Sequence, residues 1–173
     1  PLRFHTPNAL HVRGISKKVA CLMFKAGFKS IRLGLETAVF EKRGSLDRKV
    51  SEKEFHSAVS ALLSSGFEKD QVGAYLLTGL PDQNISDLKQ SIRIVKECGI
   101  QPVLAYYSPI PKTVLWDRAV KTSRYPLEAD PIFTNNAVFP CRKEPFSWDT
   151  LSEIKALTSG ETEPEESIPG RVF

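Results

Sequence analysis

Two patterns of hydrophobic residues alternate along the first 120 residues of the chain. Four short, nearly continuous apolar runs have the length and composition of buried strands: 2–5, 31–35, 72–77 and 103–107. Between these runs, apolar residues recur at spacings of three and four, which indicates amphipathic helices. Each helical segment begins at a capping residue and ends at a glycine: Ser16 to Gly27, Ser51 to Gly66, and Asn84 to Gly99. The pattern therefore predicts a β-α-β-α-β-α-β run.

This run predicts an α/β fold built from parallel βα repeats. Because each crossover carries a helix, we expect the four strands to be parallel, in the order 1-2-3-4, with the helices on one face of the sheet. After Thr113 the pattern weakens. It predicts a short helix at 114–120, an irregular covering segment at 121–146 and a terminal helix at 148–157 that Ser147 caps.

The chain divides on this basis into βα repeats over 1–120, a covering segment with its terminal helix over 121–158, and a tail over 159–173. Gly, Pro and four glutamates in the tail predict disorder. The chain opens at Pro1 and enters a strand almost at once. We therefore expect it to be a piece cut from a longer protein.

The 173 residues are 41% hydrophobic and 25% charged, which is typical of a globular domain that buries a hydrophobic core. The net charge of +4 permits an anionic ligand or RNA without requiring either. The three cysteines, Cys21, Cys98 and Cys141, are too far apart for a CxxC-type metal motif, and their odd number argues against a disulfide framework. No apolar run is long enough to span a membrane. We expect a reducing, cytoplasmic environment.

Polar and turn-forming residues follow every predicted strand: His5 with Asn8, Glu36-Thr37, Gly79 and Tyr107-Ser108. Taken singly, each has an ordinary structural explanation as a turn, a cap or a strand end. In parallel α/β folds, however, the carboxyl ends of the strands meet at one edge, and ligands bind there. The sequence therefore predicts a site at this edge, although it contains no Gly-rich phosphate loop and no Ser-His-Asp set.

Four segments, each at a predicted strand, resemble the later part of the radical S-adenosylmethionine enzymes: "FHTPNALHVR", "GLET", "YLLTGLPDQ" and "YYSPIPKT". The resemblance covers residues 1–145 and points to the branch with methylthiotransferases and cobalamin-domain radical proteins. It implies that the four strands are the last four units of a partial (β/α)6 TIM-like barrel, followed by an irregular C-terminal segment. The CxxxCxxC loop that holds the family's cluster is absent from this sequence.

The resemblance implies an activity for the longer parent rather than for this chain. There, a [4Fe–4S] cluster would reductively cleave S-adenosylmethionine to a 5′-deoxyadenosyl radical, and an upstream domain could hold cobalamin. Without the cysteine loop, we expect this chain to bind no iron and to be inactive. No residue of this chain is therefore predicted to be a metal ligand or a catalytic residue.

The resemblance also implies roles for particular residues. It assigns contacts with S-adenosylmethionine to the ends of three strands and one loop: Glu36, Arg48, Leu76, Leu77, Tyr107 and Ser108. Arg48 would pair with the methionyl carboxylate, because a guanidinium fork fits a carboxylate. His5 and Asn8 fall in a loop that would face cofactor or substrate. Without the resemblance, Arg48 reads as a solvated charge beside the Ser51 cap.

The missing N-terminal part of the same chain is the first expected partner, and it would pack against the open edge of strand one. That edge also predicts self-association of the chain alone. The substrate, a small molecule or RNA, is not defined by these residues, and we expect neither DNA nor membrane binding. Two alternatives stay open: a non-catalytic small-molecule or RNA-binding half-barrel, and a phosphate-binding barrel fragment, against which the missing Gly-rich loop counts.

Overall fold

The computed structural model describes residues 2–41, 50–141 and 148–159 of the 173-residue chain. Its strands and helices are, in chain order, β1 (Phe4–His5), β2 (Leu10–His11), α1 (Lys17–Ala26), β3 (Phe28–Glu36), α2 (Glu52–Ser64), β4 (Val72–Thr78), α3 (Ile85–Glu97), β5 (Gln101–Tyr106), α4 (Trp116–Thr122) and α5 (Trp148–Ser159). Short 3-10 turns occur at Val12–Gly14, Pro131–Thr134 and Asn136–Val138. Among the described helices, none is both long and apolar enough to cross a membrane.

The strands form one open, curled sheet in the order β1-β3-β4-β5, and every pair is parallel. This confirms the predicted parallel half-barrel with alternating helices. The first strand differs from the prediction, because β1 and β2 both pair with β3 and are separated by residues 6–9. The chain advances five residues from His5 to Leu10, while β3 advances three from Ser30 to Leu33. The extra residues form a bulge.

Alternate residues of β3 and β4 form the floor of the core. The fully buried members of this set are Ile31, Leu33, Leu35, Val72, Ala74 and Leu76. Against them pack the apolar stripes of the helices, including Phe55 and Leu62 of α2 and Ile92 and Val95 of α3. The intervening strand residues Arg32 and Gly34 of β3 stay half-buried on the concave face. The period-two alternation of a strand thus separates core from concave face.

The segment after β5 follows the prediction with shifted boundaries. The short helix starts two residues later than predicted, at Trp116, and the terminal helix α5 ends at Ser159. Ile154 of α5 is fully buried in the main core, which fixes this helix beside α3 and β5. The predicted Ser147 cap and the remaining tail, 160–173, lie outside the described residues.

A capping box starts α2, as the sequence predicts. The Ser51 hydroxyl accepts the Glu54 backbone N–H at 3.3 Å, and the Glu54 carboxylate accepts the Ser51 backbone N–H at 2.7 Å. Arg13, after β2, donates its Nε–H to the same carboxylate at 2.8 Å. The hydrogen bond from the Ser51 backbone is the main cause that holds the pKa of Glu54 below its usual value.

We predict that Ser51→Ala lowers the free energy of unfolding by about 1 kcal/mol, the usual cost of a lost N-cap hydroxyl. Urea denaturation measures the change. Ser57→Ala, at an exposed position of the same helix, is the matched control and should not lower stability.

The cap should also respond to pH. Since the pKa of Glu54 is lowered on folding, its stabilising effect is present above the unfolded-state pKa and is lost as the pH falls through the folded-state pKa. The stability difference between the wild type and Glu54→Gln should therefore shrink in acid. A difference that persists unchanged well below pH about 4, the ordinary glutamate range, would contradict this account.

Candidate functional site at the carboxyl edge of the sheet

The carboxyl end of β3 is a sharply turned and strained piece of backbone. Glu36, the last residue of the strand, has φ +66°, a conformation that non-glycine residues rarely adopt. The N–H of Thr37 donates to the carbonyl of Leu35 at 2.8 Å and closes a tight turn around Glu36. Glu36 itself is half-buried. The turn therefore sets a carboxylate at the end of a core strand.

Ser91 of α3 holds this turn in place. The Ser91 hydroxyl is almost completely buried, accepts the Ala38 N–H at 3.1 Å and lies 3.2 Å from the Thr37 hydroxyl. Its own proton goes to the carbonyl of Asp87 at 2.8 Å. Sequence reasoning missed Ser91, although a serine in the apolar stripe of a helix is a visible signal, because a buried polar group needs a partner.

The carboxyl end of β4 is fastened by one side chain. Gln83 accepts the Gly79 N–H at 2.7 Å and donates its amide to the Leu77 carbonyl at 2.7 Å. Gly79 has φ +87°, and a Cβ there would lie 3.3 Å from the ring of Phe139. Gly79 is therefore required for two reasons, a left-handed backbone and a close aromatic neighbour. Gln83 is visible in the sequence as part of the "YLLTGLPDQ" motif. The sequence does not reveal that its side chain binds the backbone of Gly79 and Leu77.

The covering segment crosses the ends of β4 and β5. Phe139 stands edge-on to Tyr106 with ring centroids 5.2 Å apart, and the Asn136 amide donates to the Tyr106 carbonyl at 3.4 Å. Tyr107 packs with the buried Cys141 in a small second apolar cluster. These contacts place aromatic rings along the β4 and β5 side of the edge.

Tyr107 and Cys141 both sit in a desolvated environment. Burial, followed by the charge of Asp82, raises the pKa of the Cys141 thiol to about 11. Burial, followed by Cys141, raises the pKa of Tyr107. The Tyr107 hydroxyl is buried and has no hydrogen-bond partner among the described residues. The Cys141 thiol is therefore harder to deprotonate than an ordinary cysteine, which disfavours its use as a nucleophile.

A cleft of about 510 Å³ opens beside Ser108, between the 108–111 loop and residues 131–136. The described lining contains no ionisable side chain and includes Ser108, Asn135 and Asn136. The cleft lies at the carboxyl end of β5, next to the edge of the site. An uncharged group with hydrogen-bonding atoms is therefore the kind of ligand that its lining suits.

The two predicted leucines of β4 face opposite sides of the sheet. Leu76 is fully buried in the main core, so its side chain contacts the helices, and only its backbone is left for a ligand. Leu77 is half-buried on the concave face, on the same side as Tyr75. Of the predicted pair, only Leu77 offers an apolar surface to the site.

The predicted loop residues lie elsewhere. His5 is exposed, and its Nδ1 lies 2.8 Å from the Ser30 hydroxyl, near the start of β3. Glu36 lies six residue steps along the strand from Ser30, a path of about 20 Å, so the structure does not bring His5 and Glu36 together. Asn8 is exposed in the bulge. Arg48 lies outside the described residues, so its assignment stays a prediction.

The bulge itself is tied to the concave face. The Tyr75 hydroxyl donates to the Pro7 carbonyl at 2.8 Å, and a Cβ on Gly34 would lie 3.3 Å from the Ala9 side chain. The Thr6 hydroxyl accepts the Arg32 N–H at 2.9 Å, in the place of a backbone carbonyl. The loop before β2 therefore lies over the sheet instead of projecting into solvent.

Within the described parts of the chain, no group of three or more His, Cys, Asp or Glu side chains is arranged to hold a metal ion. The three cysteines are free thiols in separate places: Cys21 on α1, Cys98 after α3 and Cys141 in the second cluster. These residues do not fit an iron–sulfur cluster. The carboxyl edge of the sheet instead contains the half-buried Glu36 carboxylate, the apolar Leu77 and the cleft beside Ser108. These features suit an organic ligand with hydroxyl or amino groups.

The fold defines a class of protein: a parallel βα half-barrel, with a candidate site at the carboxyl ends of its strands. Solved structures agree with this fold. The chain is similar to coproporphyrinogen III oxidase (HemN) from Escherichia coli, described as a radical SAM enzyme, with 17% identity and a TM-score of 0.53 over 67% of this chain and 26% of that one.

The chain is also similar to the radical S-adenosylmethionine methyltransferase TsrM from Kitasatospora setae, in two structures at 12% identity. The form with tryptophan and the analogue aza-SAM gives a TM-score of 0.55 over 69% of this chain and 23% of TsrM. The form with cobalamin and a [4Fe–4S] cluster gives 0.54 over 72% and 23%. The chain thus spans about a quarter of the length of these structures.

No protein-family model matches the sequence, and no curated protein matches it significantly. At these identities the likeness concerns the fold. The resemblance to radical S-adenosylmethionine enzymes that the sequence motifs carry is therefore confirmed at the level of the barrel, four parallel strands with their helices.

We predict that Gly79→Ala destabilises the protein by about 1–3 kcal/mol, because the left-handed backbone is strained by a side chain and the Phe139 ring leaves little room. Gly14→Ala is the matched control, since a Cβ at Gly14 meets no atom within 4 Å. Urea denaturation of both variants is the measurement. Equal stabilities would show that Gly79 is not required at this turn.

Proposed function

We propose that this chain is part of a radical S-adenosylmethionine enzyme and contributes the last four units of its partial barrel. The observation that carries the proposal is the carboxyl edge, where the β3 strand ends in the strained, anchored Glu36 of the "GLET" motif. The likeness of fold to HemN and TsrM supports it. In such an enzyme the edge would bind and orient S-adenosylmethionine.

The residues of the chain would divide the work of binding. The Glu36 carboxylate would accept hydrogen bonds from the ribose hydroxyls or the amino group, and Leu77 would lie against the adenine. Phe139, held over Gly79 and Tyr106, would keep water from the β4 and β5 side. The cofactors, when bound in the longer enzyme, supply the chemistry, which is reductive cleavage of S-adenosylmethionine.

The cluster would belong to another part of the same polypeptide, because the described cysteines do not fit it. We propose that the preceding barrel units supply it and that this chain alone is inactive. The cobalamin bound in one TsrM structure supports, for the parent, an upstream cobalamin site. The three free thiols support a reducing, cytoplasmic setting. The uncharged cleft beside Ser108 would take part of a small-molecule substrate.

We predict that, in a longer protein that contains this chain, Glu36→Gln and Arg48→Ala each weaken S-adenosylmethionine binding by about 1.5–3 kcal/mol, the scale of a charge-assisted hydrogen bond. Arg48→Lys should restore only part of the loss, because an ammonium cannot form a bidentate pair. Calorimetric titration is the measurement, with the exposed Glu68→Gln as control. Unchanged affinity in both variants would rule out the assigned site.

We also predict that the chain alone binds no iron. Its cysteines are dispersed, and the Cys141 thiol is protonated well above neutral pH. Anaerobic reconstitution with iron and sulfide, followed by visible absorbance and iron analysis, tests this. A stable, stoichiometric cluster in the purified chain would refute the prediction and with it the assignment of the cluster to the preceding units.

A further inference from the structure

Charge is segregated along the chain. All twenty acidic residues lie at or after Glu36, whereas seven of the 24 basic residues precede it. These seven are Arg3, Arg13, Lys17, Lys18, Lys25, Lys29 and Arg32. The first 35 residues, which form β1, β2, α1 and most of β3, therefore carry only positive formal charge.

Two of these cations have partners among the described residues. Arg13 pairs with Glu54, and Arg32 donates to the carbonyls of Ile31 and Gln71. The other five are exposed and form no ion pair within the described residues: Arg3, Lys17, Lys18, Lys25 and Lys29. Three of them lie on α1, so this helix at the end of the sheet carries three exposed lysines without an ion pair in the described part of the chain.

Apolar side chains are exposed among these cations. Leu2 is 80% exposed, Leu22 is 57% exposed, and Phe4 and Val19 are also exposed. Phe24 of α1 packs edge-on against Phe67, just after α2. Leu22 lies about 200° around the helix from Phe24, so Leu22 and its i−3 neighbour Val19 face away from α2. The apolar stripe therefore borders the open side of the sheet.

The outer edge of β1 is open as well. The N–H groups of Phe4 and Thr6 donate inward, to Gly27 and Ser30, at 3.2 and 3.1 Å. Because successive amides of a strand point to opposite edges, the N–H groups of Arg3 and His5 point outward. In the described part of the chain no strand pairs with that side of β1. Exposed edges of this kind accept an added strand.

We propose that this β1–α1 face, formed by Leu2, Phe4, Val19, Leu22 and two lysines of α1, Lys18 and Lys25, docks an acidic strand–helix unit. The added strand would pair in parallel with β1, and its helix would pack on Val19 and Leu22. Carboxylates beside that apolar stripe would face Lys18 and Lys25, which lie within about 60° of Leu22 around the helix. The inference adds the chemistry of the neighbour to the proposed function but does not depend on any cofactor.

Other occupants fit the same face less well. The self-association that the open edge predicts from the sequence is less favourable on this face, because an isologous contact between two copies would bring their lysines together. RNA would find cations but little to stack on, because Phe4 already packs on Phe28 at 5.3 Å and the neighbouring side chains are aliphatic. An acidic unit satisfies the charges, the apolar stripe and the open backbone edge together.

The test uses the ¹⁵N-labelled chain and three probes. The first is a synthetic strand–turn–helix peptide with a Val-rich strand and a helix that carries a Leu stripe flanked by Glu. The second has every Glu replaced by Gln, and the third is oligouridylate. We expect the Glu peptide to bind about tenfold more tightly than the Gln peptide and to slow amide exchange at Arg3 and His5.

The variant Lys17→Gln/Lys18→Gln/Lys25→Gln should abolish that tenfold preference. The matched control, Lys53→Gln/Lys121→Gln/Lys155→Gln, removes three exposed lysines from other helices and should preserve it. Equal binding of both peptides, unchanged exchange at Arg3 and His5, or tighter binding of oligouridylate would each overturn the proposal. These measurements contain no cofactor, so the result is separate from that of the S-adenosylmethionine titration.

The salt dependence of self-association provides an independent check on the conclusion that a second copy of the chain does not occupy this face. If lysine repulsion keeps two copies apart, added sodium chloride should increase self-association of the chain in sedimentation experiments, because screening weakens the repulsion and leaves the apolar contact. The Lys17→Gln/Lys18→Gln/Lys25→Gln variant should self-associate already at low salt. A wild-type chain that self-associates most strongly at low salt would overturn the exclusion of a second copy.

Discussion

The pairing of β3 with β4 is the contact on which the rest of the structure depends. It runs from Ile31 opposite Val72 to Glu36 opposite Leu76, and each strand buries its alternate residues completely. The two strands carry the core floor on one face and the concave surface on the other. Two residues that shape the site lie at the carboxyl ends of these strands: Glu36 is the last residue of β3, and Gly79 directly follows β4.

A register shift near the end of the β3–β4 pair distinguishes Glu36 from the other residues of β3. Gly34 lies opposite Tyr75, but Glu36 lies opposite Leu76, so Leu35 is the additional residue. Leu35 remains buried and the following residue adopts the strained turn. Such local strain persists only where the surroundings hold it. Here the loop before α3 and the helix itself hold both strand ends, through Gln83 and Ser91.

The sequence predicts the part of this structure that depends on local rules. Helix starts at Ser16, Ser51 and Asn84 follow from side chains that accept nearby N–H groups, and all three form caps in the structure. The strand β2 is different, because these local rules do not predict it. Leu10 and His11 form β2 after a bulge in which the Thr6 hydroxyl accepts the Arg32 N–H in the place of a backbone carbonyl. No periodicity reveals that substitution.

The site was predictable to a similar, limited extent. Its edge follows from the βα order, and Glu36 follows from motif resemblance. Ser91 and Gln83 bind backbone atoms of another element, so their roles depend on tertiary placement. The resemblance assigns Leu76 and Leu77 to the cofactor together, yet alternation along the strand gives them opposite faces.

The hydrogen bond from Tyr75 to Pro7 has a mechanical consequence. It joins β4 to the β1–β2 bulge across the intervening β3, so three strands are linked at one level of the sheet. A pull on the amino terminus would load β4 as well as the short ladder of β1. The edge strand β1 is thus linked through the bulge to β4. It should therefore resist being pulled away from the sheet by itself.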